Sequence, residues 1–389
     1  MNWQNWSGKL KAKPNRIAFL RSEADAAALA QQANASGQRV RVAGAAHSHS
    51  PLVVSEDILV DAQGLAGIID IDQTARTAWV GAGTRIYAMG QPLHAAGLAL
   101  TNQGDIDQQA ICGATATGTH GTGVHLKNLS STVIGARIAL ASGELVECGP
   151  GKNEALWQAS RLHLGAFGII TRLQLQLEDA YRLQEHSWTA SLAQTLEHFA
   201  DEATRHRHHE FFWYPHGDEA IGKSINRTDE PAQYPLGEEG HRRAWSYEVL
   251  PNHRPHKHTE MEYSVPSEHG PTCMREIARL LTTEFTDVRW PVEYRTLAAD
   301  DVWLSTAYQR PTVTISVHED VNRDDHKYFR ACEEIFLHYQ GRPHWGKVNY
   351  LNGEQLAAQH PRWQDWWRER NHVDPNGTFL NPYLQSLQT

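Results

Sequence analysis

Apolar and polar positions alternate over short stretches in the first half of the chain, with helix-like runs between them. Residues 23–37 are rich in alanine, start after Ser22 and stop at Gly37, so they are predicted to form a helix. A second helix is predicted over residues 87–97. Short apolar, β-branched runs predict strands at 39–42, 58–61, 67–71, 77–80, 134–140 and 172–178.

The pattern changes after residue 178, where aromatic and charged residues become more frequent. Alternating stretches predict strands at 260–265, 292–297 and 312–317. A chain of 389 residues is long enough for two domains. We therefore predict one domain over 1–178, a second, mixed α+β domain over 179–340 and a C-terminal segment over 341–389.

Composition and charge exclude several classes of function. A net charge of −9 argues against nucleic-acid binding, because phosphate contacts need a concentrated basic face. No apolar run approaches the roughly 20 residues of a membrane span, and the first residues lack the charged leader and apolar block of a signal peptide. We expect a cytoplasmic protein, since its cysteines lie far apart without a CxxC motif, as in a reducing compartment: Cys112, Cys148, Cys273 and Cys332.

Histidine and tryptophan are unusually frequent, with 23 and 13 residues. Tryptophan either stacks on planar ligands or fills the core, and its number alone does not separate the two. Histidines concentrate at 205–210 and 253–258. Neither cluster has the helical i, i+4 pair with a third ligand that is typical of zinc sites. We therefore expect both clusters to form a solvated surface and no metal to be bound.

Two segments of small residues indicate a ligand site. The first, 44–50, follows a predicted strand and places His47 within a Gly/Ala/Ser turn. Small residues let backbone N–H groups approach a diphosphate closely, and such a turn needs no histidine to hold a phosphate. The second, 113–123, contains almost no large side chain besides His120. We interpret it as a close-fitting ligand wall, with a flexible linker as the alternative.

Six motifs in the same order resemble the vanillyl-alcohol-oxidase-type flavoproteins, and within them the aldonolactone oxidase and alditol oxidase group. They lie at 44–50, 93–107, 118–123, 164–169, 342–347 and 374–381. The resemblance implies a two-domain FAD-binding (PCMH-type) fold whose substrate, or cap, domain is built on an antiparallel sheet. It also implies that the C-terminal segment completes the active site and packs on the FAD domain.

The chain departs from the group's pattern at two places. Ala46 replaces the second glycine of the first loop, which is tolerable if its φ angle is negative. Ala110 stands where the group often has a serine that reaches the substrate. A polar substrate contact is therefore missing, which makes a simple alditol a less secure expectation.

The resemblance implies that FAD is held by the N-terminal domain, with its pyrophosphate against backbone N–H groups of the two small-residue segments. His47 matches the position of the histidyl-flavin bond, so a covalent link is expected, with a non-covalent, hydrogen-bonding histidine as the alternative. His49 is offset by two positions and is interpreted as incidental. The expected cofactor-binding residues are Gly44, Ala45, Ala46, His47, Ser48, Ser50, Gly104, Gly113, Thr117, Gly118, His120, Gly121, Gly168 and Ile169.

Four residues are candidates for catalysis. Strand alternation predicts that Glu293 and Arg295 share one face while Tyr294 points away. This pair matches the Glu-x-Arg pair of the group's alditol oxidases, and a simple strand-face salt bridge is the alternative. By resemblance, Lys347 is the cation near flavin and substrate. His318 ends a predicted strand and either lines the pocket or is structural.

These residues predict an FAD-dependent oxidase of a CH–OH group in a polyol, sugar or aldonolactone, which reduces O₂ to H₂O₂. A dehydrogenase of the same fold that uses a quinone or cytochrome is one alternative. Others are an oxidase of a larger natural-product alcohol and a flavin-free binding protein with a decayed site. The expected partners are a hydroxylated small molecule and O₂, and the oligomeric state stays open.

Overall fold

The computed structural model describes residues 2–388. Residues up to 179 form several small sheets with helices between them. Their strands are β1 (Trp3–Gln4), β2 (Lys11–Ala12), β3 (Arg16–Phe19), β4 (Val40–Ala43), β5 (Ile58–Asp61), β6 (Ile68–Asp72), β7 (Thr77–Gly81), β8 (Leu98–Ala99), β9 (Val133–Ala139), β10 (Leu145–Cys148), β11 (Ile169–Gln176) and β12 (Glu178–Asp179). Their α-helices are α1 (Glu23–Ser36), α2 (Ile86–Ala95), α3 (Ile111–Thr117) and α4 (Glu154–Ser160).

Helix α1 has the boundaries that its sequence predicts. The Ser22 hydroxyl accepts a hydrogen bond from the N–H of Asp25, and Gly37 ends the helix with a φ of 69°. Its small apolar face packs beside a parallel sheet of order β3–β5–β4. Helix α1 also contacts strands β9 and β11 of an antiparallel sheet of order β10–β9–β11–β7–β6.

The rest of the chain builds one large antiparallel sheet and the helices around it. The strands are β13 (Arg182–Ser191), β14 (His208–Tyr214), β15 (Glu219–Thr228), β16 (Arg243–Trp245), β17 (His258–Pro266), β18 (Val292–Leu297), β19 (Thr312–Asp320) and β20 (Arg342–Pro343). The α-helices are α5 (Leu192–Arg205), α6 (Ser246–Val249), α7 (Gly270–Thr283), α8 (His326–His338), α9 (Gly353–Gln359), α10 (Trp363–Val373) and α11 (Pro382–Ser386).

The large sheet has one apolar face and one charged face. Its order is β16–β13–β15–β14–β18–β19–β17–β20. Helices α5, α7 and α8 pack on the apolar face. There Tyr294 stacks on Phe211 at 4.9 Å between ring centroids and meets Phe199 edge-on at 4.7 Å. Side chains alternate along a strand, so Glu293 and Arg295, which flank Tyr294, lie on the opposite face, as predicted.

The C-terminal segment returns to the first sheets. Arg41 is buried, and its guanidinium donates to the carbonyl of Leu52 at 2.6 Å, to that of Gly165 at 2.7 Å and to that of Phe379. Burial, together with the charge of Arg370, lowers the pKa of Arg41 to about 9. One buried side chain therefore joins three parts of the chain that are distant in sequence.

Two local features of the small-residue segments depart from a simple loop. Residues 113–123 are not one loop, because Ile111–Thr117 form helix α3 and Gly118 ends it with a φ of 78°. Ala46 has a φ of 58° and not a negative angle, and its carbonyl accepts a hydrogen bond from the N–H of Trp6 at 2.7 Å. A left-handed alanine costs roughly 1–2 kcal/mol, so contacts of this turn must hold it in place.

No helix within residues 2–388 is long and apolar enough to cross a membrane.

Candidate active site

A cavity of about 1070 Å³ lies over the charged face of the large sheet. The first part of the chain contributes Trp6, His47 and Thr117 to its wall, and the C-terminal segment contributes His344 and Lys347. We call the sheet residues beneath it the charged floor, defined as Glu260, Glu262, Glu293, Arg295 and His318. All five residues of the charged floor are at most 7% exposed.

The charged floor comes from three neighbouring strands in register. Glu260 on β17 lies directly opposite His318 on β19, and Glu293 on β18 lies opposite Ser316 on β19. Period-two alternation places Glu260 and Glu262 on the same face of β17. Cross-strand pairing therefore gathers residues that are up to 58 positions apart in sequence, as the pairing of Glu260 with His318 shows.

Glu260 is the centre of one charged group. Lys347 forms an ion pair with it, and His258 and His318 place their Nε2 atoms 3.6 and 3.8 Å from its two oxygens. Burial favours the neutral acid, but the charge of Lys347, with His258 beside it, holds the pKa of Glu260 well below its usual range. Burial lowers the pKa of His318 to about 4, so its imidazole is neutral near pH 7.

Glu262 is the centre of a second group. It accepts hydrogen bonds from Arg295 and from the Ser316 hydroxyl at 2.8 Å, and His120 Nε2 lies 3.1 Å from its other oxygen. Although burial opposes ionisation, Arg295 and His120 hold the pKa of Glu262 well below its usual range. His344 lies beside this group, with its ring centroid 5.8 Å from that of His120.

Glu293 has the opposite electrostatic character. Burial raises the pKa of Glu293 to about 8, although Arg295, 3.1 Å away, opposes this effect. The negative charges of Glu210, Asp105 and Glu260 act in the same direction as burial. The carboxyl group of Glu293 is therefore mostly protonated at neutral pH and can donate a hydrogen bond. The charged floor thus combines ionised carboxylates with one neutral acid.

A second, smaller cavity of about 80 Å³ adjoins the first. We call its small-residue wall the cradle, defined as residues 44–48 and 110–117. The smaller cavity is lined by the predicted cofactor residues Gly44, Ala45, Ala46, Gly113 and Gly168. A Cβ atom built on Gly113 would meet nothing within 4 Å, so this stretch of α3 borders open space.

His47 lies where the two cavities meet, since it lines both, as do Ser48, Gln109 and Thr117. Burial, with the charges of Lys347 and Arg85, lowers the pKa of His47 to about 4, so its ring is neutral near pH 7. The Oε1 atom of Gln109 is buried and finds no hydrogen-bond partner within residues 2–388. Open backbone, a neutral imidazole and an unpaired amide oxygen fit the FAD that the sequence implies.

The other predicted cofactor residues occupy different places. Gly104 and His120 line the large cavity. The Ser50 hydroxyl donates to the carbonyl of Trp345 at 2.6 Å, which ties the first small-residue segment to the C-terminal segment. Gly121 makes a close backbone approach, since a Cβ there would lie 2.3 Å from the carbonyl oxygen of Gln103. Gly118 ends α3, and Ile169 is fully buried in the core cluster around α1.

Some site residues were missed by sequence reasoning. Glu260 and Glu262 line the large cavity, and the sequence marks them only as two acidic residues at i, i+2 in a predicted strand, a pattern that a solvated face shows as well. His344 was part of a recognised motif but had no role assigned. His49, interpreted as incidental, lines the cavity as well.

The expectation of a solvated histidine surface is wrong for part of each cluster, although His253 and His256 are exposed. His208 and His209 are buried, with His208 Nδ1 2.9 Å from the carbonyl oxygen of Thr122. His258 lines the large cavity between Trp6 and Trp290. Both clusters enter strands of the large sheet, and strand alternation turns part of each toward the interior.

Comparison with known proteins agrees with this geometry. The D-arabinono-1,4-lactone oxidase family model matches residues 173–245 and 236–387, and an FAD-binding-domain model matches residues 14–149. The L-gulono-1,4-lactone dehydrogenase of Mycobacterium tuberculosis is 34% identical and covers 99% of this chain and 98% of its own length. The alditol oxidase of a Streptomyces species is 28% identical, over 98% of each chain.

A solved structure shows the same fold. A solvent-stable cholesterol oxidase superposes with a TM-score of 0.86 at 19% sequence identity, over 99% of this chain and 97% of its own. The predicted α+β, PCMH-type FAD-binding fold with an antiparallel substrate sheet is therefore confirmed. The chain belongs to the D-arabinono-1,4-lactone oxidase family of FAD-linked oxidoreductases.

Proposed function

We propose that this protein oxidises a CH–OH group of a small polyhydroxylated substrate of the aldonolactone or alditol class, bound in the large cavity. The observation that carries the proposal is the charged floor, which presents buried hydrogen-bonding side chains beside the cradle at His47. Such a wall suits a ligand rich in hydroxyl groups, because each hydroxyl can both donate and accept. The names of the related L-gulono-1,4-lactone dehydrogenase and alditol oxidase support this substrate class.

Arg295 is proposed to bind the oxygen of the reacting hydroxyl. Its guanidinium is held between Glu262 and Glu293, so its orientation is set before substrate arrives. A fixed, permanently charged donor in a buried site stabilises negative charge that develops on that oxygen. Glu293, as a neutral acid, donates a hydrogen bond to a neighbouring substrate oxygen.

His318 is proposed to accept the proton of the reacting hydroxyl. Its Nδ1–H donates to the carbonyl of Pro291 at 2.9 Å, which leaves the Nε2 lone pair directed to the cavity side near Glu260. Lys347, paired with Glu260, supplies positive charge at the same wall. FAD, when bound, supplies the acceptor for the hydride that leaves the hydroxyl-bearing carbon.

We infer that His47 carries a covalent bond to FAD. Its position at the junction of the two cavities and its neutral ring support this assignment. The experiment is flavin fluorescence on a denaturing gel. The parent protein and the neighbouring control His49→Ala should keep the fluorescence, and His47→Ala should lose it. Fluorescence retained by His47→Ala would contradict the assignment.

The proposed electron acceptor is O₂, which leaves as H₂O₂. A dehydrogenase is the second candidate, because the relative with 34% identity is named as one. Oxygen uptake and peroxide release are to be measured over a panel of aldonolactones, alditols, sugars and aromatic alcohols, in parallel with dye reduction. Turnover only with a dye would select the dehydrogenase, and no turnover with any polyhydroxylated compound would refute the proposed substrate class.

We also propose the domain limits 1–178, 179–340 and 341–389. The change from the first sheets to the large sheet after Asp179 supports the first limit. The return of the chain to Arg41 supports a separate C-terminal segment. Limited proteolysis followed by mass spectrometry would locate the cleavable connections.

A further inference from the structure

Two imidazoles beside Glu260 turn their Nε2 atoms toward its carboxylate. His258 Nδ1 lies 3.0 Å from the carbonyl oxygen of His256, and His318 Nδ1 lies 2.9 Å from that of Pro291. A carbonyl only accepts, so each Nδ1 carries a proton, and Nε2 is the ring nitrogen that faces Glu260. The two distances from Nε2 to the carboxylate oxygens, 3.6 and 3.8 Å, are longer than a hydrogen bond. The ammonium of Lys347 is the cation that neighbours this carboxylate in the structure.

His49 adds a third unsatisfied nitrogen. Its Nδ1 is buried and finds no hydrogen-bond partner among residues 2–388. The backbone N–H of His49 donates to the carbonyl of Gly346 at 2.7 Å, so its position is fixed by the C-terminal segment. Its ring centroid lies 6.0 Å from that of His258. A buried imidazole nitrogen without a partner is costly unless something binds it.

The distances match those of a shared metal ion. One ligand atom from each of His49, His258 and Glu260 lies within 4.8 Å of the other two. The separation of 3.6 Å between His258 Nε2 and Glu260 Oε2 is too long for a hydrogen bond. It is close to the ~3.4 Å between neighbouring ligands of a tetrahedral ion with bonds of about 2.1 Å.

The surroundings also resemble those of a metal site. Metal-binding histidines commonly donate their second ring N–H to a backbone carbonyl, as His258 does to His256. Trp6 and Trp290 pack against the ring of His258 at 5.3 and 5.1 Å between centroids and hold its orientation. Two imidazoles and one carboxylate form a donor set that suits Zn²⁺ and leaves a coordination position open.

We propose that His49, His258 and Glu260 bind one divalent transition-metal ion, of which Zn²⁺ is the type, at the wall of the large cavity. The three ligands come from the segment after β4 and from the first strand positions of β17, which is why no local motif reveals them. The open coordination position faces the cavity and takes an oxygen of the substrate. This last clause rests on the proposed function, whereas metal binding does not.

Lys347 is the competing cation at this site. Its ammonium is paired with Glu260, the one carboxylate of the proposed ligand set. A bound metal ion therefore has to share or displace this contact. Lys347→Met removes the ammonium and keeps an uncharged stem of the same length, so it should strengthen metal binding.

The test is metal titration of the flavin-loaded protein after chelator treatment. Co²⁺ is added and its visible absorption is followed, and Zn²⁺ is then used as the competitor. We expect one equivalent to bind to the parent protein, and His49→Ala and His258→Ala to weaken binding by at least about 100-fold. His256→Ala is the matched control, since His256 is exposed on the same loop, and it should bind as the parent does.

The flavin absorption spectrum of each variant reports that the fold is intact. Absence of stoichiometric binding by the parent protein would overturn the proposal, as would equal affinity in the parent and in both ligand variants. Weaker binding in Lys347→Met would do the same. Because the readout is metal binding, an inactive substrate panel would refute the proposed function and leave this proposal standing.

Discussion

The cradle and the charged floor adjoin each other but are built on opposite principles. The cradle is a wall of Gly, Ala and Thr residues, with space that a side chain on Gly113 would enter. The charged floor consists of five ionisable side chains, each buried and each supported by another. Backbone amides suffice for a cofactor with a diphosphate, whereas oriented side chains are needed for a substrate whose charge changes during reaction.

Two buried arginines show this difference within one residue type. Arg41 lies under the cradle and donates to backbone carbonyls of distant segments. Arg295 lies in the charged floor between the carboxyl groups of Glu262 and Glu293, and although burial lowers its pKa, the neighbouring acidic groups raise it above the ordinary value of arginine. The first should serve the fold and the second the reaction.

Arg295→Lys should have the largest effect on activity. Lysine keeps the positive charge between Glu262 and Glu293 but loses the planar fork that fixes the donor. We expect kcat/KM to fall by about 10³-fold, while flavin content and unfolding free energy stay close to those of the parent. Arg227→Lys, on an exposed position of the same sheet, is the control. Normal activity in Arg295→Lys would assign Arg295 to the fold.

Arg41→Met should destabilise the fold and leave the reaction at the site unchanged. It leaves the carbonyls of Leu52, Gly165 and Phe379 buried without their donor. We expect the free energy of unfolding, measured in urea, to fall by about 3 kcal/mol, with kcat of the folded fraction retained. The exposed control Arg16→Met should change it by less than about 0.5 kcal/mol. A stable but inactive Arg41→Met would remove the contrast between the two arginines.

Gly113→Val tests the cradle itself. The valine side chain would enter the open space beside α3, where a Cβ meets nothing within 4 Å in the structure. We expect the Kd for FAD to rise about 100-fold, equivalent to about 2.7 kcal/mol. The measurement uses a His47→Ala background, so that a covalent bond does not hide weak binding. Gly217→Val is a control in a distant turn, and equal FAD affinity in all three proteins would contradict the role of the cradle.

The pH dependence of activity should show whether Glu293 acts as a neutral acid, because kcat/KM should then fall about tenfold per pH unit above its pKa. Its pKa is raised to about 8 by burial, so the donating acid form is present below that pH and is lost above it. kcat/KM should therefore fall as pH rises through about 8. Glu293→Gln keeps an N–H donor at every pH, so its profile should lack this alkaline fall. An unchanged alkaline limb in Glu293→Gln would assign the titration to another group.

Local sequence signals predicted much of the framework. Helix α1 begins after Ser22 and ends at Gly37 because both caps are encoded next to the helix. The strands around 292–297 and 312–317 follow from alternation, and the same alternation places Glu293 and Arg295 on one face. The motif order was sufficient for the family, since the matched stretches contain five of the six motifs, all but the one at 164–169.

The candidate site was only partly predictable. Lys347 and His318 were named from the sequence, and the structure brings both to Glu260. Glu260 itself was not named, because an acidic residue in a strand has no local feature that tells a cavity wall from a solvated face. Likewise, the left-handed φ of Ala46 depends on the contact of its carbonyl with Trp6, which is 40 residues away.

The sequence by itself determined helix α1, the strands with clear alternation, which of their residues share a face and which family the chain belongs to, because each of these is encoded over a few neighbouring residues. Only the tertiary structure decided which charges meet. The register of β17 against β19 sets Glu260 opposite His318, and the return of the C-terminal segment brings His49 and Lys347 to the same carboxylate. Long-range pairing and burial therefore decide the electrostatics of the site, since a carboxylate takes its pKa from neighbours that are distant in the chain.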